Sequence, residues 1–136
     1  MDQWKIELWE TDDGICRVGK DLLNKMRKSD SYLYKSLAEK MLIYIQKPIN
    51  NVILAKDIEK VKGSGNMWEL KFHLPKNNQI RFLGCLVLDK DVHIFYALHA
   101  FKKKEQIIKN KYKYIAESRI KEFLNNLNKN EHQKIL

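Results

Sequence analysis

Residues 67–101, MWELKFHLPKNNQIRFLGCLVLDKDVHIFYALHAF, decide the fold. MWELKFHL alternates apolar with polar residues, which is the period of a half-buried strand. The turn residues PKNN separate it from QIRFLGCLVLD, which is apolar on both faces and typical of a central strand. A second turn near Lys90 leads into DVHIFYALHAF. This stretch therefore predicts three consecutive antiparallel strands.

The residues before and after this stretch predict one more strand and three helices. WKIELW at 4–9 alternates like a strand, and the apolar spacing over about 18–27 and 31–46 is helical. We expect the second helix to be capped near Ser29-Asp30-Ser31 and stopped by Pro48. A third amphipathic helix is expected from about residue 104 to 128.

This order, β-α-α-β-β-β-α, predicts an α+β fold with a small, mostly antiparallel sheet and the helices packed on one face. A chain of 136 residues with 44% hydrophobic content can bury one core, so we expect a single domain over residues 1–128. Residues 129–136 are expected to form a polar C-terminal tail.

The bulk composition limits the classes of function. Cys16 and Cys85 show no CxxC or Cys/His spacing, which argues against a disulfide framework or a zinc site, and we expect no cofactor or metal. The first residues lack an apolar signal segment, and no run approaches the roughly 18 apolar residues of a membrane span. We therefore expect a cytoplasmic protein with no membrane segment. A net charge of +9 favours nucleic acid, an anionic membrane or an acidic protein as partner.

Strand register predicts where two cations meet. If the apolar residues of the first two strands of the stretch share a face, Lys71 falls opposite or near Arg81, on the face expected to be turned away from the helices. A polar sheet face is also compatible with plain solvent exposure. Arg81 is the more informative of the two, because its strand is otherwise almost entirely apolar.

The sequence resembles the HigB-type branch of the RelE/ParE toxin superfamily, phage-derived proteins of type II toxin–antitoxin modules. The resemblance rests on VKGSGNMWELKF (61–72), QIRFL (79–83), YALHAFKKKEQ (96–106) and YIAESR (114–119), and extends from Trp9 to about Phe123. It implies a RelE-like fold for the domain. Lys71 stands where the family usually has Arg, and Ile107-Ile108-Lys109 replaces the usual Lys-Thr-Pro.

The resemblance implies a ribosome-dependent, metal-independent endoribonuclease that cuts messenger RNA, an mRNA interferase. Such a reaction needs a base for the attacking 2′-hydroxyl, a cation at the phosphate and an acid for the leaving oxygen. Arg81 is expected to hold the phosphate, Lys71 and Lys103 to supply charge or move protons, and His99 to act as acid or base. The residues expected to bind RNA are Lys102, Lys103, Lys104 and His73.

Each assignment has a structural alternative. His99 would instead be a packed, hydrogen-bonded strand histidine, and the lysine run a solvated strand end. The functional alternatives are a non-nucleolytic toxin of the same fold, as ParE-like relatives that bind gyrase, or a phage-derived factor that binds RNA or protein. The resemblance also implies partners, namely the ribosome with mRNA and a helix-turn-helix antitoxin, in a complex whose oligomeric state is open.

Overall fold

The computed structural model describes residues 3–104, 108–127 and 132–136. Its strands are β1 (Trp4–Leu8), β2 (Ile58–Lys60), β3 (Trp68–Leu74), β4 (Asn78–Asp89), β5 (Val92–Lys102) and β6 (Gln133–Ile135). They form a mixed sheet in the order β1-β5-β4-β3-β2, and β6 pairs with the end of β4 that extends beyond β3. The predicted meander is confirmed as β3, β4 and β5, and the sheet is mostly antiparallel, with β1 parallel to β5.

The helices follow the predicted order with one addition. They are α1 (Asn24–Ser29), which continues a π-helical turn at Gly19–Leu23, α2 (Ser31–Ile45), α3 (Ile49–Leu54) and α4 (Asn110–Asn126). Asp30 caps α2 as expected, because its carboxylate accepts the backbone N–H of Leu33 at 3.0 Å. The short α3 and β2 were not predicted. Within the described residues, no helix has the length and apolar character needed to cross a bilayer.

The expectation that the helices share one face of the sheet is wrong. α2 and α3 pack on the face formed by Leu70, Phe72 and Phe82, whereas α4 packs on the opposite face. There Ala116, Ile120 and Phe123 of α4 lie in one cluster with four strand residues, Leu83, Cys85, Val87 and Leu98. Helices therefore pack on both faces of the apolar run of β4, which is why both of its faces are apolar.

Two boundaries also differ from expectation. α4 begins at Asn110, not near residue 104, because Lys103 still extends the sheet and its N–H donates to the carbonyl of Gln79 at 2.8 Å. Gln133–Ile135, within the stretch 129–136 that the sequence assigned to a polar tail, form β6 and pair with Val87–Asp89. The N–H of Leu136 also donates to the carbonyl of Leu86 at 2.9 Å, so the chain end is held by the sheet.

Candidate functional site

The predicted pairing of cations across β3 and β4 is confirmed, because Lys71 lies directly opposite Arg81. Arg81 lies on the same face as Leu83 and Cys85, the face that α4 covers further along the strand. Glu69 precedes Lys71 on this face by one strand repeat. One sheet face therefore has an apolar half beneath α4 and a charged half beyond it.

Arg81 is buried rather than displayed on an open surface, with only 3% of the residue exposed. Its guanidinium donates to the side-chain oxygen of Gln79 at 2.7 Å and to the carbonyl of Ile80 at 3.3 Å. Its Nε lies 3.2 Å from Oε2 of Glu69, an ion pair without hydrogen-bond alignment. Burial lowers the pKa of Arg81, and the charge of Glu69 opposes that shift. The sequence suggested a phosphate clamp, but in this structure the guanidinium is occupied by protein partners.

Lys71 and Lys103 are the partly exposed cations of the charged half. Nζ of Lys71 donates to Glu59 at 2.7 Å, and this hydrogen bond holds the pKa of the Glu59 carboxyl below its usual value. Lys103 is half-buried, and its pKa is lowered first by burial and then by the charge of Arg81, with a smaller effect from Lys71. We call Lys71, Arg81 and Lys103 the cationic cluster. A lowered pKa is the direction that proton transfer by Lys103 near neutral pH requires.

Lys102 and Lys104, the other two lysines of the run, do not belong to the cationic cluster. Lys102 pairs with Ile80, so its side chain belongs to the opposite face of the sheet, and both Lys102 and Lys104 are exposed. All three lysines nevertheless line a groove of about 260 Å³ between the end of β5 and the start of α4. The remaining lining residues are Phe101, Lys109, Lys111 and Tyr112. We call this the lysine groove.

His73 is exposed at the end of β3, opposite Gln79. Partial desolvation of the ring, and then the charge of Arg81, lower its pKa. It lies at the rim of the charged half, and its contact with RNA stays a prediction.

His99 takes its position from a β-bulge. The β4–β5 register shifts between Leu83 and Gly84, so that Leu83 pairs with His99 and Gly84 with Ala97, leaving Leu98 as the extra residue. A Cβ on Gly84 would lie 1.8 Å from the carbonyl oxygen of Tyr96, so only glycine fits this close approach. Beyond the bulge, the side chain of His99 lies on the α4 face, beside the rings of Phe101 and Tyr112.

Two residues that the sequence did not suggest hold the His99 ring. Nδ1 of His99 lies 2.6 Å from Oδ2 of Asp21, which comes from the π-helical turn. Arg119 of α4 grips the same carboxylate through two hydrogen bonds of 2.6 and 3.1 Å. Burial would raise the pKa of Asp21, but the hydrogen bonds from His99 and Arg119 lower it overall. No local sequence pattern could reveal this network, because its members are 20 to 98 residues apart.

The comparisons with known proteins identify a family. Residues 32–121 match the model of the family described as phage derived protein Gp49-like. No curated protein and no solved structure matches the chain. Because the match covers most of the chain, the protein belongs to the Gp49-like phage-derived family, a RelE-like, toxin-like family of toxin–antitoxin modules.

Proposed function

We propose that this Gp49-like protein is the toxin of a type II toxin–antitoxin module, of the HigB type, and that it cleaves messenger RNA on the ribosome without a metal ion. The observation that carries the proposal is the cationic cluster beside the lysine groove. Lys71, Arg81 and Lys103 converge on one half of a sheet face, and Lys103 has a lowered pKa. Such a surface favours the RNA backbone, and a lysine with a lowered pKa can exchange a proton closer to neutral pH.

The proposed reaction is an in-line transesterification. The 2′-oxygen forms a bond to the adjacent phosphorus, the bond from phosphorus to the 5′-oxygen breaks, and the products are a 2′,3′-cyclic phosphate and a 5′-hydroxyl. One protein group takes the proton of the 2′-hydroxyl, another gives a proton to the leaving 5′-oxygen, and cations stabilise the charge on the phosphate. No oxidant or co-reactant is needed.

The geometry supports a division of roles within the cluster. Lys103 and Lys71 are the partly exposed cations and would contact the phosphate, with Lys103 also able to move a proton. Arg81 lies beneath them with three protein partners, and would act by keeping positive charge under the phosphate. His99 would supply the second acid or base. Lys102, Lys104 and His73 would hold the flanking RNA.

The proposed partners are the ribosome with its mRNA and a helix-turn-helix antitoxin, in the cytoplasm. A net charge of +9 suits an acidic antitoxin surface. An apolar groove of about 410 Å³ between β1 and α2 could receive its apolar side chains, since Leu42 and Ile45 are exposed there. Co-expression with the small DNA-binding protein of the neighbouring reading frame should restore growth and yield a stable complex. Leu42→Asp should weaken that complex without changing toxicity.

A second candidate is a non-nucleolytic inhibitor of the same fold, such as a ParE-like gyrase binder. The burial of both Arg81 and His99 favours it, because a nuclease needs its catalytic groups within reach of the RNA. An RNA- or protein-binding factor without catalysis would fit the same observation.

Induced expression separates these functions. The proposal expects rapid translation arrest, with new 5′ ends in a reporter transcript mapped by primer extension, and with ends that appear only on transcripts being translated. Lys103→Met should remove these ends, whereas Lys28→Met, at an exposed position of α1, should not. Intact transcripts together with a DNA-damage response would instead indicate gyrase inhibition.

A further inference from the structure

The hydrogen bonds around His99 treat its two ring nitrogens differently, and the proposed reaction alone does not explain this difference. His99 is 5% exposed, and its two ring nitrogens have opposite surroundings. Nδ1 lies against Asp21 and Arg119, whereas Nε2 is buried and has no hydrogen-bond partner in the described part of the chain. Buried polar atoms are nearly always paired, so an unpaired ring nitrogen in such a network asks for an explanation.

Counting hydrogens determines which nitrogen is protonated in the neutral ring. Nη1 of Arg119 carries two hydrogens, and its two shortest contacts are Oδ2 of Asp21 at 2.6 Å and the carbonyl of Leu98 at 2.8 Å. Its contact with Nδ1 of His99 is longer, at 3.3 Å. Arg119 therefore has no free hydrogen on that nitrogen for the ring. The carboxylate of Asp21 can only accept, so Nδ1 of His99 must donate to it.

This arrangement leaves the lone pair on Nε2. We propose that Asp21 and Arg119 are positioning residues that hold His99 in the tautomer with the hydrogen on Nδ1, so that Nε2 is the atom that exchanges a proton with the RNA. The proposal rests on the proposed function, because it assigns His99 a proton-transfer role in that reaction. The order of roles is that of a hydrogen-bonded base with a third group behind it.

The ring of His99 lies next to the lysine groove, behind its aromatic wall. The rings of Phe101 and Tyr112 stack at 4.0 Å and both line the groove, and their centroids lie 5.8 and 5.6 Å from that of His99. His99 therefore lies directly behind two walls of the groove, and RNA in the groove reaches Nε2 only when the rings of Phe101 and Tyr112 move apart. The charged and titratable groups in contact with it, within the described ranges, are Asp21, Arg119 and Tyr112.

The chain offers a matched control for the fold. Arg17 and Glu122 form a second ion pair, which also joins the N-terminal helical region to α4, and Nη2 of Arg17 donates to Glu122 at 2.9 Å. Neither residue contacts His99. If Asp21 acts only by docking α4, Glu122→Gln should reproduce the effect of Asp21→Asn.

The first experiment reads the tautomer directly and needs no activity. Two-bond ¹H–¹⁵N correlation spectra of histidine-labelled protein should show His99 with its hydrogen on Nδ1 in the parent and in Glu122→Gln. Asp21→Asn should shift the ring toward the other tautomer, because an amide can also donate. A parent ring with its hydrogen on Nε2 would overturn the inference, whatever the cleavage assay shows.

The second experiment measures cleavage of mRNA on programmed ribosomes. Asp21→Asn should lower kcat about 100-fold with the apparent KM unchanged, and Asp21→Glu should recover part of the rate. Thermal unfolding of each variant identifies any that is not folded at the assay temperature. Equal rates for Asp21→Asn and Glu122→Gln would refute the positioning role and leave the proposed function standing. A parent protein that does not cleave would refute the proposed function itself.

Discussion

The two halves of the α4 face of the sheet are built on the same strands and differ in almost every property. Beneath α4, Leu83, Cys85 and Val87 are fully buried among apolar neighbours, and burial raises the pKa of the Cys85 thiol to about 12. Two residues before Leu83 on the same face, Arg81 pairs with Glu69 and lies opposite Lys71. The comparison teaches that one continuous sheet face can be apolar where α4 covers it and carry buried and partly exposed charges where α4 does not.

The largest expected effect comes from the buried ion pair in the charged half of the face. Arg81→Ala should destabilise the protein by about 3–5 kcal/mol, because it leaves the carboxylate of Glu69 buried without its partner. Lys71→Ala should cost less than about 1 kcal/mol, since the partner carboxylate of Glu59 is 38% exposed. Urea unfolding of both variants tests the contrast.

A double variant sharpens this prediction. Arg81→Met combined with Glu69→Leu removes both charges, and we expect stability close to that of the parent, because well-packed apolar replacements of a buried ion pair are often neutral. Toxicity should still be lost. Equal instability of the single and double variants would show that Arg81 contributes through packing and not through charge.

The second prediction concerns the boundary between the halves. Gly84→Ala should cost about 2–3 kcal/mol, because the new Cβ collides with the backbone of Tyr96 and the bulge that orients His99 must change. Gly63→Ala is the control, with a strained positive φ but open space around it, and should cost about 1 kcal/mol. Thermal unfolding measures both, and an unperturbed His99 resonance in Gly84→Ala would contradict the role given to the bulge.

A third prediction tests whether the lysine run engages RNA. Each lysine that contacts a single-stranded backbone adds about 0.7 to the slope of log affinity against log salt, so Lys103→Ala with Lys104→Ala should reduce the slope by about 1.4. Ribosome co-sedimentation at several salt concentrations provides the measurement. The control is Lys20→Ala with Lys28→Ala in the N-terminal helical region, which removes the same number of positive charges away from the lysine run. If both pairs behave alike, the run is a solvated strand end.

The smallest expected effect is a pH dependence of stability from the cationic cluster. Since burial and then Arg81 lower the pKa of Lys103 below its ordinary 10.5, the unfolded chain binds more protons between the two values. The free energy of unfolding from this group must therefore rise with pH across that window. Lys103→Met should remove this rise and slightly stabilise the protein at neutral pH, whereas Lys104→Met, at an exposed position, should leave the rise in place. Denaturant titrations at pH 7 and 10 compare them.

Much of this architecture could be predicted from local patterns. The alternation in MWELKFHL and the apolar run of β4 predicted the antiparallel meander. The two-residue side-chain period of the paired strands then placed Lys71 opposite Arg81. The position of the α2 cap, near Ser29-Asp30-Ser31, could also be predicted, and the structure shows Asp30 as the capping residue. These features depend on neighbouring residues or on the two-residue period of a strand, so the sequence contains the information directly.

Only the tertiary structure decided what lies above each face and what lies beside His99. The sequence could not place α4 opposite α2, since the apolar stripe of a helix says that it is buried and not against which side of a sheet. Nor could it show Gly84 opposite the backbone of Tyr96, or Asp21 and Arg119 meeting at one ring, because such contacts join residues far apart in the chain. The physical reason is that hydrophobic burial is non-directional, whereas a buried charge or ring nitrogen depends on the few partners that the finished fold brings within 3 Å.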